Sequence, residues 1–187
     1  ALEECGRRSF TRILLVCDRR SPSGLAFIRS VGAVYSFSEY EMRMRGRADL
    51  SGHYDILLRK ASDSDAEAIA STNYACFGVT GFIGMMPEEE ESMDRITYMI
   101  ELGSQTIGKI RVETSDGEGF ISGFGILPEY RGRGYGRQAL KAAAGILHQK
   151  GIRSVALEVD TQNETALHLY QSCGFAEESV TDYYDAG

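Results

Sequence analysis

The segment Gly125-Ile-Leu-Pro-Glu-Tyr-Arg-Gly-Arg-Gly-Tyr-Gly-Arg-Gln-Ala-Leu140 limits the folds open to this chain more than any other. An apolar run ends there, glycines and arginines alternate, and a helix-forming run begins. Gly132, Gly134 and Gly136 lack a Cβ, so they can take positive φ and let a ligand lie against the main chain. A helix starting beside them directs free N–H groups and its positive dipole end into the loop. Strand, glycine-rich turn and helix N-terminus make a site for a di- or triphosphate-sized anion, and the arginines add charge-assisted donors. The dinucleotide-binding Gly-x-Gly-x-x-Gly does not fit, because the third glycine comes one position early, and the Gly-Lys-Ser/Thr of a P-loop is absent.

A length of 187 residues allows one full domain with an appendage. Hydrophobic content of 43% and charged content of 25% are those of an ordinary soluble domain. A net charge of −7 disfavours nucleic acid and suits a cationic substrate such as an amine. It also argues against reading the Arg-Gly stretch as an RNA-binding segment. Cys5, Cys17, Cys76 and Cys173 are far apart, which points to reduced thiols in the cytoplasm and to no zinc site. The expectation is no metal, no membrane span and no signal peptide. The start Ala-Leu-Glu-Glu, without an initiator Met, is that of a processed product or a fragment.

The chain also resembles itself. A shift of 142 positions carries Thr11–Val34 onto Arg153–Ala176 without a gap. Asp18 falls on Asp160, Leu25 on Leu167, Ser30 on Ser172 and Gly32 on Gly174. Apolar positions correspond as well, Ile13 to Val155, Leu15 to Leu157, Cys17 to Val159 and Phe27 to Leu169. Both stretches read as strand, loop, helix and glycine, an internal repeat.

Between the repeats, 45–52 reads as a linker and Tyr54–Lys60 as a strand. Ser62 and Asp65 form a capping box before a helix. Residues 75–87 read as irregular, and Glu88–Asp94 as a short acidic helix at best, whose carboxylates are a solvated helix start or an attraction for a cationic amine. Strands follow at Ile96–Leu102, Thr106–Glu113 and Phe120–Ile126, joined by hairpin turns. Arg137–Lys150 is an amphipathic helix closed by Gly151. Ser154–Val159 is a buried strand, Glu164–Ser172 a helix and Ala176–Tyr183 a last strand. The order implies an α/β fold, a mixed central sheet with helices on both faces.

Arg131-Gly-Arg-Gly-Tyr-Gly136, with Ile126-Leu-Pro128 before it, resembles the acyl-CoA pyrophosphate loop of the GNAT superfamily of N-acyltransferases. Leu157-Glu-Val-Asp-Thr-Gln-Asn163, Ala166-Leu-His-Leu-Tyr170 and Cys173-Gly-Phe175 resemble its second signature. The likeness covers about 54–184. It implies the GNAT fold with an extra N-terminal β-α-β segment: residues 1–50 a partial degenerate GNAT-like piece, residues 51–187 the catalytic domain. The first piece carries Ser21 where Asn163 stands and Ile28 where Tyr170 stands, and lacks an upstream glycine loop, so no CoA binding is expected there. Its Glu41-Met-Arg-Met44 is the counterpart of the further strand with which such domains finish, and would extend the sheet of the catalytic part.

The resemblance also implies site residues. Phe124, Gly125 and Ile126 would pair through their main chain with pantetheine, in the gap where this strand splays from its parallel neighbour. An N–H near Ile126 would polarise the thioester. Gly132, Arg133, Gly134, Tyr135, Gly136 and Arg137 would hold the pyrophosphate, with Arg131 adding charge. Asn163 would meet the pantetheine, cap the helix, or do both. Tyr170 would protonate the departing CoA thiolate. Glu158, a carboxylate within an apolar strand, would be costly to bury unless paired or useful. Either it deprotonates the amine, directly or through water, or it forms a salt bridge to Arg153 or a lysine. Tyr183 and Tyr184 line an acceptor pocket or are ordinary strand residues. The expected reaction moves acetyl from acetyl-CoA, as co-substrate and without metal, to a primary amine of a small molecule or peptide. A non-enzymatic acyl-CoA-binding regulatory module is the alternative, and a homodimer is compatible with either.

Overall fold

The computed structural model describes residues 12–46, 49, 51–80, 85–91 and 93–186. Cys5, part of the 45–52 linker and residues 81–84 lie outside the described residues. The strands are β1 (Leu14–Asp18), β2 (Val34–Arg45), β3 (Ile56–Lys60), β4 (Arg95–Leu102), β5 (Gln105–Ser115), β6 (Glu118–Ile126), β7 (Ser154–Asp160) and β8 (Ala176–Asp185). The helices are α1 (Pro22–Ser30), α2 (Ala66–Phe77), α3 (Pro87–Glu91), α4 (Tyr135–Gln149) and α5 (Glu164–Ser172). The sheet is mixed, with hydrogen-bonded neighbours in the order β1-β8-β2-β7-β6-β5-β4-β3. The expected α/β class is what the structure has.

The chain forms two compact units. One takes the described residues up to Met42, Glu158–Leu167 and those from Glu177 onward. The other takes the described residues of Arg43–Leu157 and His168–Ala176.

The internal repeat seen in the sequence is a repeat of local hydrogen bonds. The side chain of Asp18 accepts from the Arg20 N–H at 2.7 Å, as that of Asp160 does from Gln162 at 2.7 Å. Ser21 caps α1 by accepting from Gly24 at 3.2 Å, and Asn163 caps α5 by accepting from Ala166 at 3.1 Å. Ser30 Oγ donates to the Phe27 carbonyl at 2.7 Å, as Ser172 does to Leu169 at 2.7 Å. Gly32 and Gly174 end the helices with φ of 70° and 92°, the left-handed region in which glycine avoids a Cβ clash. In the first unit the strand order β1-β8-β2-β7 reads the same from either end once β1 is equated with β7 and β2 with β8. Glu41–Met44 therefore lie on a strand between β8 and β7.

That unit is pinned by a buried carboxylate. Asp182, 5% exposed, accepts from Ser38 Oγ at 2.6 Å and from Arg19 Nη2 at 2.7 Å. Its carboxyl is held below the usual range, first by the Arg19 hydrogen bond and with help from Ser38. Beside it, Phe37 stacks on Tyr183 at 4.3 Å between ring centres, and Tyr35 meets Tyr184 edge-on at 5.9 Å.

In the second unit helices cover both faces. On α4, Leu140, Ala143, Ala144 and Leu147 are buried, spaced along one helical stripe. That helix packs on β3, β5 and β6, while α2 packs on β5 and β6 and α3 on β4. Side chains alternate along β6, so Phe124 and Ile126 face the α4 side and Gly125 faces Cys76 of α2. Two expectations change. Helix α2 runs on to Phe77 and stops at Gly78, which takes φ 69°, so 75–77 are helical rather than irregular. The acidic run is not all solvated: Glu90 is 5% exposed, accepting from Arg111 Nη2 at 2.5 Å and Thr97 Oγ1 at 3.1 Å. An exposed helix start looks the same in sequence, and only the arginine on a distant strand decides otherwise.

Asp182→Ala leaves Ser38 without its buried acceptor and should cost about 2–3 kcal/mol at neutral pH. The Asp182 contribution is full above the unfolded carboxyl value of about 4 and is lost as pH falls through its lower folded value. Urea unfolding at pH 7 and pH 3 should show the difference between variant and parent shrinking with acid; equal stability at pH 7 would refute the assignment.

Candidate active site

The glycine-rich loop lies between a single 3₁₀ turn, Pro128–Tyr130, and α4. The Leu127 N–H donates to the Ile107 carbonyl at 2.9 Å, tying the loop's start to β5. Gly132 and Gly134 have φ of 74° and 85°, and Gly134 is the N-cap of α4. Any L side chain there would be strained. Arg131, Gly132, Arg133, Gly134 and Arg137 are exposed, and Tyr135 and Gly136 are partly so. The first-turn N–H groups of α4 thus open onto an accessible loop. Arg131 also turns inward, its Nε donating to the Ile126 carbonyl at 2.8 Å. Arg133 sits over the Tyr130 ring, 6.0 Å from its centre.

Immediately before the loop, β6 loses one neighbour. Its parallel ladder with β7 joins Gly119 to Val155, Phe120 to Ala156 and Ile121 to Leu157, and goes no further. On the other side Gly125 and Ile126 stay paired with Lys109 and Gly108 of β5. From Ser122 to Ile126 the main chain is outside the β7 ladder on one edge, while Ser122, Gly125 and Ile126 keep β5 partners on the other. The register against β5 also slips: Lys109 faces Gly125 while Arg111 faces Ser122. Two steps on β5 span three on β6, a bulge containing Gly123, whose φ is 51°.

Helix α5 carries Asn163 at its N-cap and Tyr170 two turns on. Tyr170 is 8% exposed, with ring centres 6.4 Å from Phe124 and 6.2 Å from Phe175. Burial pushes its phenol up to about 12, so it stays protonated through the neutral range. Leu169, one residue earlier, lies where a Cβ on Gly136 would come within 3.4 Å. The second unit thus brings the loop, Phe124 and Tyr170 together.

Asn163 and Glu158 belong to the first unit. The expectation of a buried Glu158 is corrected: it is exposed between the buried Leu157 and Val159, although Ala156, two residues earlier on the same face, is buried. Its carboxyl still lies above the ordinary range, from partial desolvation first and then from the nearby Glu39 and Glu41. Those two carboxylates have partners on β8, Tyr183 Oη donating to Glu39 at 2.6 Å and Ser179 Oγ to Glu41 at 3.2 Å. Among the described residues no cluster of three or more His, Cys, Asp or Glu side chains is placed to hold a metal, and no helix is long and apolar enough to cross a membrane.

The sequence reading missed Lys109 and Cys76, which sit against the same stretch of β6. Lys109 is 4% exposed and its Nζ donates to the Gly123 carbonyl at 3.0 Å. Cys76 Sγ approaches the Ile126 carbonyl at 3.5 Å. Lys109, Arg111 and Glu113 alternate on β5 as a solvent face does, so nothing local marked them as covered.

Comparison with known proteins bears on this arrangement. An N-acetyltransferase of Bacillus subtilis, the uncharacterized protein YycN, is 44% identical over 63 residues, which are 34% of this chain and 40% of that one. The mycothiol acetyltransferase of Renibacterium salmoninarum is 31% identical over 111 residues, 58% of this chain and 30% of its own length. The matches thus span less than half of these curated relatives. The GCN5-related N-acetyltransferase of Sphaerobacter thermophilus superposes over 98% of this chain and 63% of its own, with a TM-score of 0.76 at 18% identity, a likeness of fold. The profile of the acetyltransferase (GNAT) family matches residues 66–175, more than half of the chain. That span holds the bulged strand, the glycine loop and both signature helices, and the chain belongs to the acetyltransferase (GNAT) family.

Proposed function

We propose that this protein is an N-acetyltransferase that moves the acetyl group of acetyl-CoA to a primary amine within a ternary complex. The observation that carries the reading is the β6 edge left outside the β7 ladder after Ile121, continuous with a loop that opens onto the N-terminus of α4. Pantetheine takes that edge through Phe124, Gly125 and Ile126, and Asn163 meets it from the α5 cap. The pyrophosphate takes the N–H groups from Gly132 to Arg137, where the helix dipole favours an anion. Arg133 and Arg137 supply charge, and Arg131 divides its guanidinium between the ligand and the Ile126 carbonyl.

The chemistry follows from proton bookkeeping. A primary amine of ordinary pKa, about 10, is protonated at neutral pH and must lose that proton before it attacks. Glu158, made more basic by its surroundings, takes the proton. The nitrogen lone pair then adds to the thioester carbon, and the oxyanion is held by the N–H near Ile126. The C–S bond breaks, Tyr170 supplies a proton to the CoA sulfur, and the second proton shed by the nitrogen as it becomes an amide returns Tyr170 to its neutral form. The acidic field of the chain and the exposed carboxylates of α3 favour a cationic acceptor, a small molecule or a peptide terminus.

We further read β1, α1 and β2 as a degenerate GNAT half, residues 1–50, beside a catalytic part, residues 51–187. The hydrogen-bond-level repeat supports this. Ser21 repeats the helix cap of Asn163 but has no amide, and Ile28 has no hydroxyl to match that of Tyr170.

Release of free CoA across a panel of amines is the direct test, and wild-type protein that neither binds acetyl-CoA nor releases CoA with any amine would overturn the reading. Tyr170→Phe should lower kcat by about tenfold to a hundredfold while acetyl-CoA still binds. The rising limb of activity with pH should follow Glu158, whose raised carboxyl must ionise to act, and Glu158→Gln should lose that limb; an unchanged profile would assign the base to water. Ser21→Ala should lower stability by about 1 kcal/mol through the lost cap, with turnover unchanged.

A further inference from the structure

Among the described residues, Lys109 is a buried cation that the proposed chemistry does not use. It is 4% exposed, on β5 opposite Gly125. A lysine that deep is costly unless its ammonium is satisfied. Its Nζ donates to the Gly123 carbonyl at 3.0 Å and lies 5.7 Å from the centre of the Phe77 ring. Gly123 and Phe124 are the bulge residues without a partner in the β5 register. The carbonyl that the bulge takes out of the ladder is thus the one the lysine holds. Two neighbours compete for the lysine poorly. Glu90 is engaged by Arg111 at 2.5 Å and by Thr97 at 3.1 Å. Cys76, from α2, approaches the Ile126 carbonyl. Desolvation and then Arg111 pull the lysine down to about 8, which marks how little else compensates its charge. Gly123 is the matching half: a Cβ there would fall 2.9 Å from Nζ, at a φ of 51° that side chains rarely adopt.

We propose that Lys109 is a positioning residue that latches the β6 bulge, holding the Gly123 carbonyl and, through the Gly123–Phe124 peptide, presenting the main chain against which acyl-CoA lies. The latch acts geometrically by fixing a bulge that would otherwise relax into the ladder. It also acts electronically, since a charged donor on the carbonyl polarises the amide and strengthens its N–H as a donor. Only the identity of the ligand rests on the acyltransferase reading.

The test compares Lys109→Met, which keeps length and burial, with Lys109→Arg and Lys109→Gln. In the free protein, amides of the 118–126 peptide should exchange hydrogen about tenfold faster in Lys109→Met, the loss of one hydrogen bond to a charged group. Acetyl-CoA should dissociate about tenfold more readily, by the same loss. Lys109→Arg should restore both quantities. Lys109→Gln, which keeps a neutral donor, should restore the exchange but only part of the affinity, and it carries the test if Lys109→Met does not fold. Parental exchange and affinity in Lys109→Met, or parental affinity in Lys109→Gln together with faster exchange, would overturn the proposal. If the parent protein fails to bind acetyl-CoA, the acyltransferase reading falls while the exchange measurement still decides the latch.

Discussion

A parallel ladder that stops after Ile121–Leu157 is the constraint on which the candidate site depends. Main-chain groups away from water need partners, so an edge that leaves its neighbour must be solvated, bulged or given to a ligand. Here β6 stays bonded to β5 on either side of the bulge, at Ser122 and at Gly125 and Ile126, which anchors the free edge at both ends. The chain then passes from that edge into the glycine loop, with the Arg131 guanidinium on the Ile126 carbonyl fixing the corner. Strand edge and helix terminus are joined by a corner whose own N–H groups are spent on internal bonds, from Leu127 to Ile107, Tyr130 to Leu127 and Arg131 to Pro128.

Much of this was legible in the sequence because its signals are local. Glycines at 132 and 134 announce positive φ, Asn163 a helix cap, and alternating apolar runs the central strands; each is decided within a few residues. The repeat was legible for the same reason, since its Asp, Ser and Gly positions are the ones that set turn and cap geometry. What failed was non-local. Glu158 sits in an apolar string and reads as buried, yet it is exposed while Ala156, on the same face of the strand, is covered, and no local pattern separates the two. Glu90 reads as one of several solvated glutamates, and only Arg111, 21 residues on, distinguishes it. Lys109 reads as the polar face of a strand and is covered by a helix whose docking no local pattern encodes.

These misreadings share a cause. The β5 face that bears Lys109, Arg111 and Glu113 is charged and largely covered at once, and each charge has its own partner. Lys109 meets a bulge carbonyl, Arg111 meets α3, and Glu113 meets Arg95 at 3.0 Å and Ser122 at 2.7 Å. Such a row favours one register over its alternatives, because a slip of one residue would leave several charges buried without partners. The bulge gains its uniqueness from that row more than from the glycine within it.

The pairing of β1 with β8 has a kinetic meaning. Leu14 lies opposite Asp185 and Asp18 opposite Thr181, so β1 is bonded to a strand made more than a hundred and sixty residues later. Interleaving of the two repeat copies forbids the short route in which β1 would pair with its own β2. Contacts at that separation pay loop closure before they are rewarded, and they slow folding accordingly. β1 therefore gains its native strand partner only once β8 has been made. The interleaved strand order makes completion of the β1 ladder depend on the latest-made strand of the sheet.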